Sequence, residues 1–115
     1  MELIEDTIVK RRVYIAGPMR GKINKNRKAF QRAEDHLLRQ KIWEPVNPCK
    51  IDEANELLYD ENPNDGQLIR ELMKRDIDEL YTCSSIYMLR GWEKSAGARA
   101  EHAFAIAISQ PIMYQ

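Results

Sequence analysis

Short apolar runs alternate with helix-periodic stretches along the chain, and this alternation narrows the possible folds more than any other feature. Val13-Tyr14-Ile15-Ala16 is β-branched and aromatic and stops at Gly17-Pro18, which predicts a buried strand ending in a turn. Asn24 or Asn26 is placed to cap the next segment. There Phe30, Ala33, Leu37 and Leu38 recur at helical spacing opposite Lys28, Arg32, Asp35 and Arg39, an amphipathic helix to about Gln40. Ile42 to Val46 reads as a second short strand, closed by Asn47-Pro48 because proline cannot continue an interior ladder. Leu68, Ile69, Leu72, Met73, Ile77 and Leu80 predict a helix up to about Tyr81. Ser85 to Leu89 is then a third strand, Ser95 to Ser109 a helix, and Pro111 to Tyr114 a last short strand. Between Ile51 and Gln67 the pattern weakens to a helical turn through Ala54, Leu57 and Leu58 and a polar loop from Tyr59 to Gly66.

Strands that alternate with helices predict an α/β domain. Its parallel sheet has about four or five strands with helices on both faces, flavodoxin-like or Rossmann-like, joined by right-handed crossovers. In such a sheet ligands sit at the carboxyl ends of the strands, near the switch in strand order. The loops Gly17 to Gly21 and Gly91 to Ser95 leave that edge, as does the start of the last helix, so Arg20, Ser95 and Glu101 become candidates for one pocket. Gly17 and Gly21 allow backbone to approach a ligand closely, and Arg20 is a ready oxyanion partner.

The length of 115 residues suits one core, so a site must come from the loops of one sheet or from a second subunit. Lys and Arg total 18 and Asp and Glu total 18, a balance that argues against a nucleic-acid polymer or an anionic membrane as partner. Cys49 and Cys83 lack metal-ligand spacing, and the start MELIEDTIVKRR has no apolar signal core, so a reducing cytoplasm is the expected compartment. No stretch is long enough to span a bilayer.

One residue breaks the local rules. On a helix starting near Ala96 the stripe Gly97, Glu101, Phe104, Ala105, Ile108 puts an acid among core-seeking residues. Positions three and four away from it are Gly97, Ala98, Phe104 and Ala105, none of which supplies a counter-charge. A carboxylate so placed is costly unless something outside the helix uses it. The alternative is that Glu101 lies at a solvated edge beside Arg99 and His102. Other residues keep two readings as well. Asp76 is a site acid or the partner of Lys74 or Arg75, Ser95 a ligand contact or an N-cap, and Tyr14 a site residue or core. Trp92 stacks on a base or covers the sheet edge, Glu93 is read as a loop acid, and His36 and His102 as helix-surface residues. Cys49 and Cys83 read as small buried hydrophobes.

Taken together, Tyr14-Ile15-Ala16-Gly17-Pro18, the helix opened by Asn26 and Phe30, the aspartate before the third strand, and Gly91-Trp92-Glu93-Lys94-Ser95-Ala96-Gly97-Ala98-Arg99-Ala100-Glu101 resemble the nucleoside 2-deoxyribosyltransferase superfamily. The likeness is to its small bacterial and phage members, which carry a Gly-Trp-Glu-x-Ser-x-Gly-Ala-x-x-Glu signature, and it runs from roughly Val13 to Tyr114, so the chain would be one domain of that type. The resemblance implies cleavage or exchange of the N-glycosidic bond of a nucleoside or its 5'-monophosphate, without metal or cofactor. It makes Glu101 the nucleophile, Asp76 the aspartate that contacts the base or donates a proton, and Tyr14 the aromatic that orients the nucleophile. Gly17, Arg20, Gly21, Trp92, Ser95 and Gly97 become substrate-binding residues, and the assembly a homo-oligomer, a dimer or higher, whose chains complete one another's sites. The position six before the nucleophile is an aspartate in the nucleoside branch and a serine in the monophosphate-cleaving branch; here it is Ser95. Arg20 also matches an arginine of the latter branch, whereas Pro18 replaces its serine. Cys83-Ser84 stands where many relatives have Cys-Asp, and Asp52 to Gly66 has no counterpart. The rival readings are a nucleotide-binding or sensing module of the same fold without turnover, and an interaction protein that has lost the site.

Overall fold

The computed structural model describes residues 10–19, 22–51, 61 and 64–115. Strands β1 (Arg11–Ala16), β2 (Trp43–Val46), β3 (Ser85–Met88) and β4 (Ile112–Tyr114) alternate with helices α1 (Arg27–Arg39), α2 (Gly66–Tyr81) and α3 (Ala96–Ala107). All strand pairs are parallel, in the order β2-β1-β3-β4. The chain therefore steps from β1 to one side for β2 and returns to the other side for β3, which creates a switch point between β1 and β3. This is the α/β architecture that the alternation predicts, with four strands.

Helices cover both faces because successive strand residues point to opposite sides. Val13, Ile15, Tyr87 and Leu89 pack with Phe30, Ala33 and Leu37 of α1. On the other face Tyr14, Ala16, Ile86 and Met88 pack with Leu80 of α2 and Ala98 and Ala105 of α3. Interior strands buried on two faces need an unbroken apolar run, and Val13 to Ala16 and Ile86 to Leu89 supply it. Among the described residues β2 is an edge strand, where Pro45 is tolerated opposite Val13.

Local chemistry sets the element ends. The Asp65 carboxylate accepts from the backbone N–H groups of Gln67 at 3.0 Å and Leu68 at 3.1 Å, so α2 begins at Gly66, before the apolar pattern starts. The Ser95 hydroxyl accepts from Ala98 N at 3.2 Å and opens α3. Gln110, buried, donates its amide to the carbonyls of Leu80 at 3.0 Å and Cys83 at 2.7 Å, closing the end of α2.

Some expectations are corrected. Asn26 occupies the N-cap position of α1 with φ 63°, yet its side chain makes no cap; its amide donates to the Pro18 carbonyl at 3.0 Å instead. Leu38 is 45% exposed, because it follows Leu37 around the helix and clears the sheet. The buried line of α3 is Ala98, Glu101 and Ala105, while Ile108, just beyond its end, is 41% exposed. The turn through Ala54, Leu57 and Leu58 lies outside the described residues. Among the described residues no helix is long and apolar enough to cross a membrane.

Candidate functional site

The loop after β1 and the loop after β3 meet at the switch point. Gly17 makes the approach possible, since a Cβ there would stand 2.7 Å from the Leu89 Cβ, and Ala16 O accepts from Leu89 N at 2.8 Å. Gly91, at φ +87°, turns the chain out of β3 in a conformation that suits glycine. Asn26 ties down Pro18 from the opening of α1. A 3-10 turn, Trp92–Lys94, then leads to Ser95 and α3.

These elements enclose a cavity of about 390 Å³ at the carboxyl edge of the sheet. Gly17, Pro18 and Met19 form one side, and Gly91 and Lys94 to Ala98 another. Leu72 and Met73 of α2 supply apolar lining, and Asp76 of α2 and Glu101 of α3 add the two acids. Lys22, Lys25 and Lys94 belong to the same lining. The volume and the mix of an apolar wall with a few polar groups suit a small molecule.

Glu101 is 5% exposed, and the Tyr14 hydroxyl, wholly buried on β1, donates to its Oε2 at 2.5 Å. Burial is the main force that raises its carboxyl from the ordinary 4.5 to about 8, and the negative charge of Asp76 adds to it. The Tyr14 hydrogen bond and the Arg75 guanidinium pull the other way without cancelling the rise. Burial, followed by the charges of Glu101 and Asp76, pushes the Tyr14 phenol well above its usual value, so it remains a donor at neutral pH. Asp76 is held by Arg75, whose Nε and Nη2 donate to Oδ1 at 2.9 and 2.6 Å. Lys74 is paired with Asp78 instead. In the resting site Glu101 is thus mostly a neutral acid at pH 7, and losing its proton turns it into a desolvated, oriented anion.

The sequence-derived candidates divide as follows. Gly17, Asp76, Ser95, Gly97 and Glu101 line the cavity, and Tyr14 stands behind Glu101 as its hydrogen-bond partner. Ser95 both caps α3 and faces the cavity, so its two readings coexist. Trp92 is not among the lining residues; its ring stacks on His102 at 4.1 Å, and His102 Nε2 lies 2.7 Å from the Tyr114 hydroxyl. Glu93 is exposed and its carbonyl accepts from Arg99 at 3.1 Å. Arg20 and Gly21 lie outside the described residues. Cys49 and Cys83 are buried free thiols, and burial pushes the Cys83 thiol up. Among the described residues no three His, Cys, Asp or Glu side chains gather as metal ligands would.

Sequence reasoning missed Lys22, Lys25, Lys94 and the Leu72-Met73 wall. The lysines follow the turn signals Gly17-Pro18 and Gly91, which was the available cue; Leu72 and Met73 read only as helix core. A family model described as a domain of unknown function, DUF4406, matches residues 11–114. The chain belongs to this family. Among curated proteins nothing matches it. The DUF4406 match spans every element that shapes the cavity, from β1 to β4.

Proposed function

We propose that the protein cleaves or exchanges the N-glycosidic bond of a nucleoside 5'-monophosphate or nucleoside, with Glu101 as nucleophile. The observation that carries the reading is a buried glutamate, one oxygen gripped by a buried tyrosine, facing a cavity at the switch point of a parallel sheet. The likeness of Gly91 to Glu101 to the nucleoside 2-deoxyribosyltransferase signature points to the same chemistry.

With Oε2 held by Tyr14, Oε1 attacks the anomeric carbon as the bond to the base breaks and its electron pair moves to the base nitrogen. The base takes up one proton as it leaves, and Glu101 gives one up before it attacks. Asp76, on the same lining, is the group suited to pass it between them. Water or a second base then attacks the anomeric carbon and the bond to Oε1 breaks, with overall retention, while the proton the attacking group loses returns to Glu101 through Asp76. Leu72 and Met73 offer apolar surface to a base or sugar, and the start of α3 with Ser95 and the lysine side chains offers an anion site for a 5'-phosphate. That set favours monophosphates over nucleosides.

The neutral resting state of Glu101 also favours a second reading, a nucleotide-binding module without turnover. The test is to incubate the protein with a panel of nucleosides and 5'-monophosphates and follow free base by chromatography. Base release, faster from monophosphates, is expected. Tight binding without release from any member would replace catalysis with sensing.

A further inference from the structure

Arg75 has no task in the reaction just described, yet it grips Asp76, which shares the cavity lining with Glu101. Residues adjacent on a helix do not normally face one another. Arg75 nevertheless folds back so that Nε and Nη2 converge on the Asp76 Oδ1 at 2.9 and 2.6 Å, with both side chains only 16% exposed. Simple crowding of charge on α2 does not explain this, because Lys74 turns outward to Asp78 in solvent. The charged and titratable groups that act on the Glu101 carboxyl are Tyr14 from β1 and Arg75 and Asp76 from α2, while on α3 the His102 ring stacks on Trp92 and Arg99 donates to the Glu93 carbonyl. Lys22, Lys25 and Lys94 stand elsewhere on the cavity lining. Within α3, the positions three and four residues from Glu101 carry no charge. The two neighbours on α2 act oppositely: the negative charge of Asp76 resists ionisation of Glu101, and the guanidinium favours it.

We infer that Arg75 is a positioning residue of this site: it fixes Asp76 against the cavity wall and offsets its charge, and so governs the pH range in which Glu101 is an anion. The catalytic consequence rests on Glu101 being the nucleophile; the electrostatic relation does not. Arg75 therefore sets where the pH–rate curve rises, without touching the substrate.

The experiment is a carbon-13 NMR titration of the Glu101 carboxyl, without substrate, in wild type, Arg75→Gln, Arg75→Lys and Asp76→Asn. Arg75→Gln should raise the midpoint by about 1 pH unit, the low end for a nearby charge. Arg75→Lys, which keeps the cation, should stay near wild type, and Asp76→Asn should lower the midpoint. Equal midpoints in wild type and Arg75→Gln overturn the inference, as do equal shifts for Gln and Lys. If Arg75→Gln does not fold, an unmoved midpoint in Asp76→Asn overturns it instead. Because the titration needs no turnover, failure of the panel to release base would remove the proposed reaction and leave this result to stand or fall alone.

Discussion

Glu101 holds its proton in the folded chain to about pH 8, against 4.5 for an ordinary glutamate. Between these values the native state binds a proton that the unfolded state has released, so stability is fully present below about 4.5 and declines as pH rises through about 8. The slope is about 1.4 kcal/mol per pH unit, which sums to about 5 kcal/mol as an upper limit. Glu101→Gln keeps the acceptor for Tyr14 and removes the titration. Urea denaturation at about pH 5 and about pH 8 should show the variant gaining on wild type as pH rises. A gap between the two proteins that is the same at both pH values would contradict the burial account. Tyr14→Phe removes the donor instead. It should cost about 1–3 kcal/mol and move the Glu101 titration higher, because the lost hydrogen bond was holding it down. An unchanged titration in Tyr14→Phe would mean that the contact does not operate in solution. The anomaly of Glu101 was legible from the helical stripe. Its partner was not, since Tyr14 lies 87 residues away and only β1-to-β3 pairing and the α3 crossover bring the two together.

Gly17 and Gly97, two of the three glycines on the cavity lining, differ in what they guard. At Gly17 a methyl group meets the Leu89 Cβ at 2.7 Å, and both atoms are fixed to backbone, so Gly17→Ala must push β1 and the β3 exit apart. A loss of about 1–3 kcal/mol by thermal or chemical denaturation is expected, the range for overpacking. At Gly97 a methyl group meets nothing within 4 Å and projects from a cavity-lining position in the first turn of α3. Gly97→Ala should therefore hold or raise stability by about 0.4–1 kcal/mol while weakening nucleotide affinity, a split that calorimetric binding and denaturation read separately. Equal effects on both would remove Gly97 from the site. Element boundaries were legible where apolar periodicity made them and at Ser95, whose cap opens α3, but the caps at the starts of α1 and α2 were not. Asp65 starts α2 ahead of its first apolar residue, and Asn26 spends its side chain on Pro18 rather than on α1.

Across the whole molecule, the order β2-β1-β3-β4 places the loops after β1 and β3 side by side, and this brings residues from three parts of the chain to one cavity. That both loops leave one edge followed from strand and helix alternation in a parallel sheet, whereas the strand order that makes them neighbours did not. The lysine side chains and the apolar Leu72-Met73 wall were not legible, because a lysine in a loop and a leucine on a helix carry no mark of the cavity they will face. The proposed assembly belongs to this scale too. Ile106 at 59% exposure and Ile108 at 41% leave apolar surface at the end of α3, and the resemblance implies paired chains. Light scattering should report a homo-oligomer, and a monomer at all concentrations would remove the proposal that a second chain completes the cavity.

The claim beneath all of this is that the Glu101 carboxylate performs the bond cleavage. It is tested most directly by base release from the best 5'-monophosphate of the panel, compared between wild type and folded Glu101→Gln at about pH 9, above the pH where Glu101 gives up its proton. The account predicts a loss of at least about a thousandfold in the variant. Release at the wild-type rate by Glu101→Gln would contradict it.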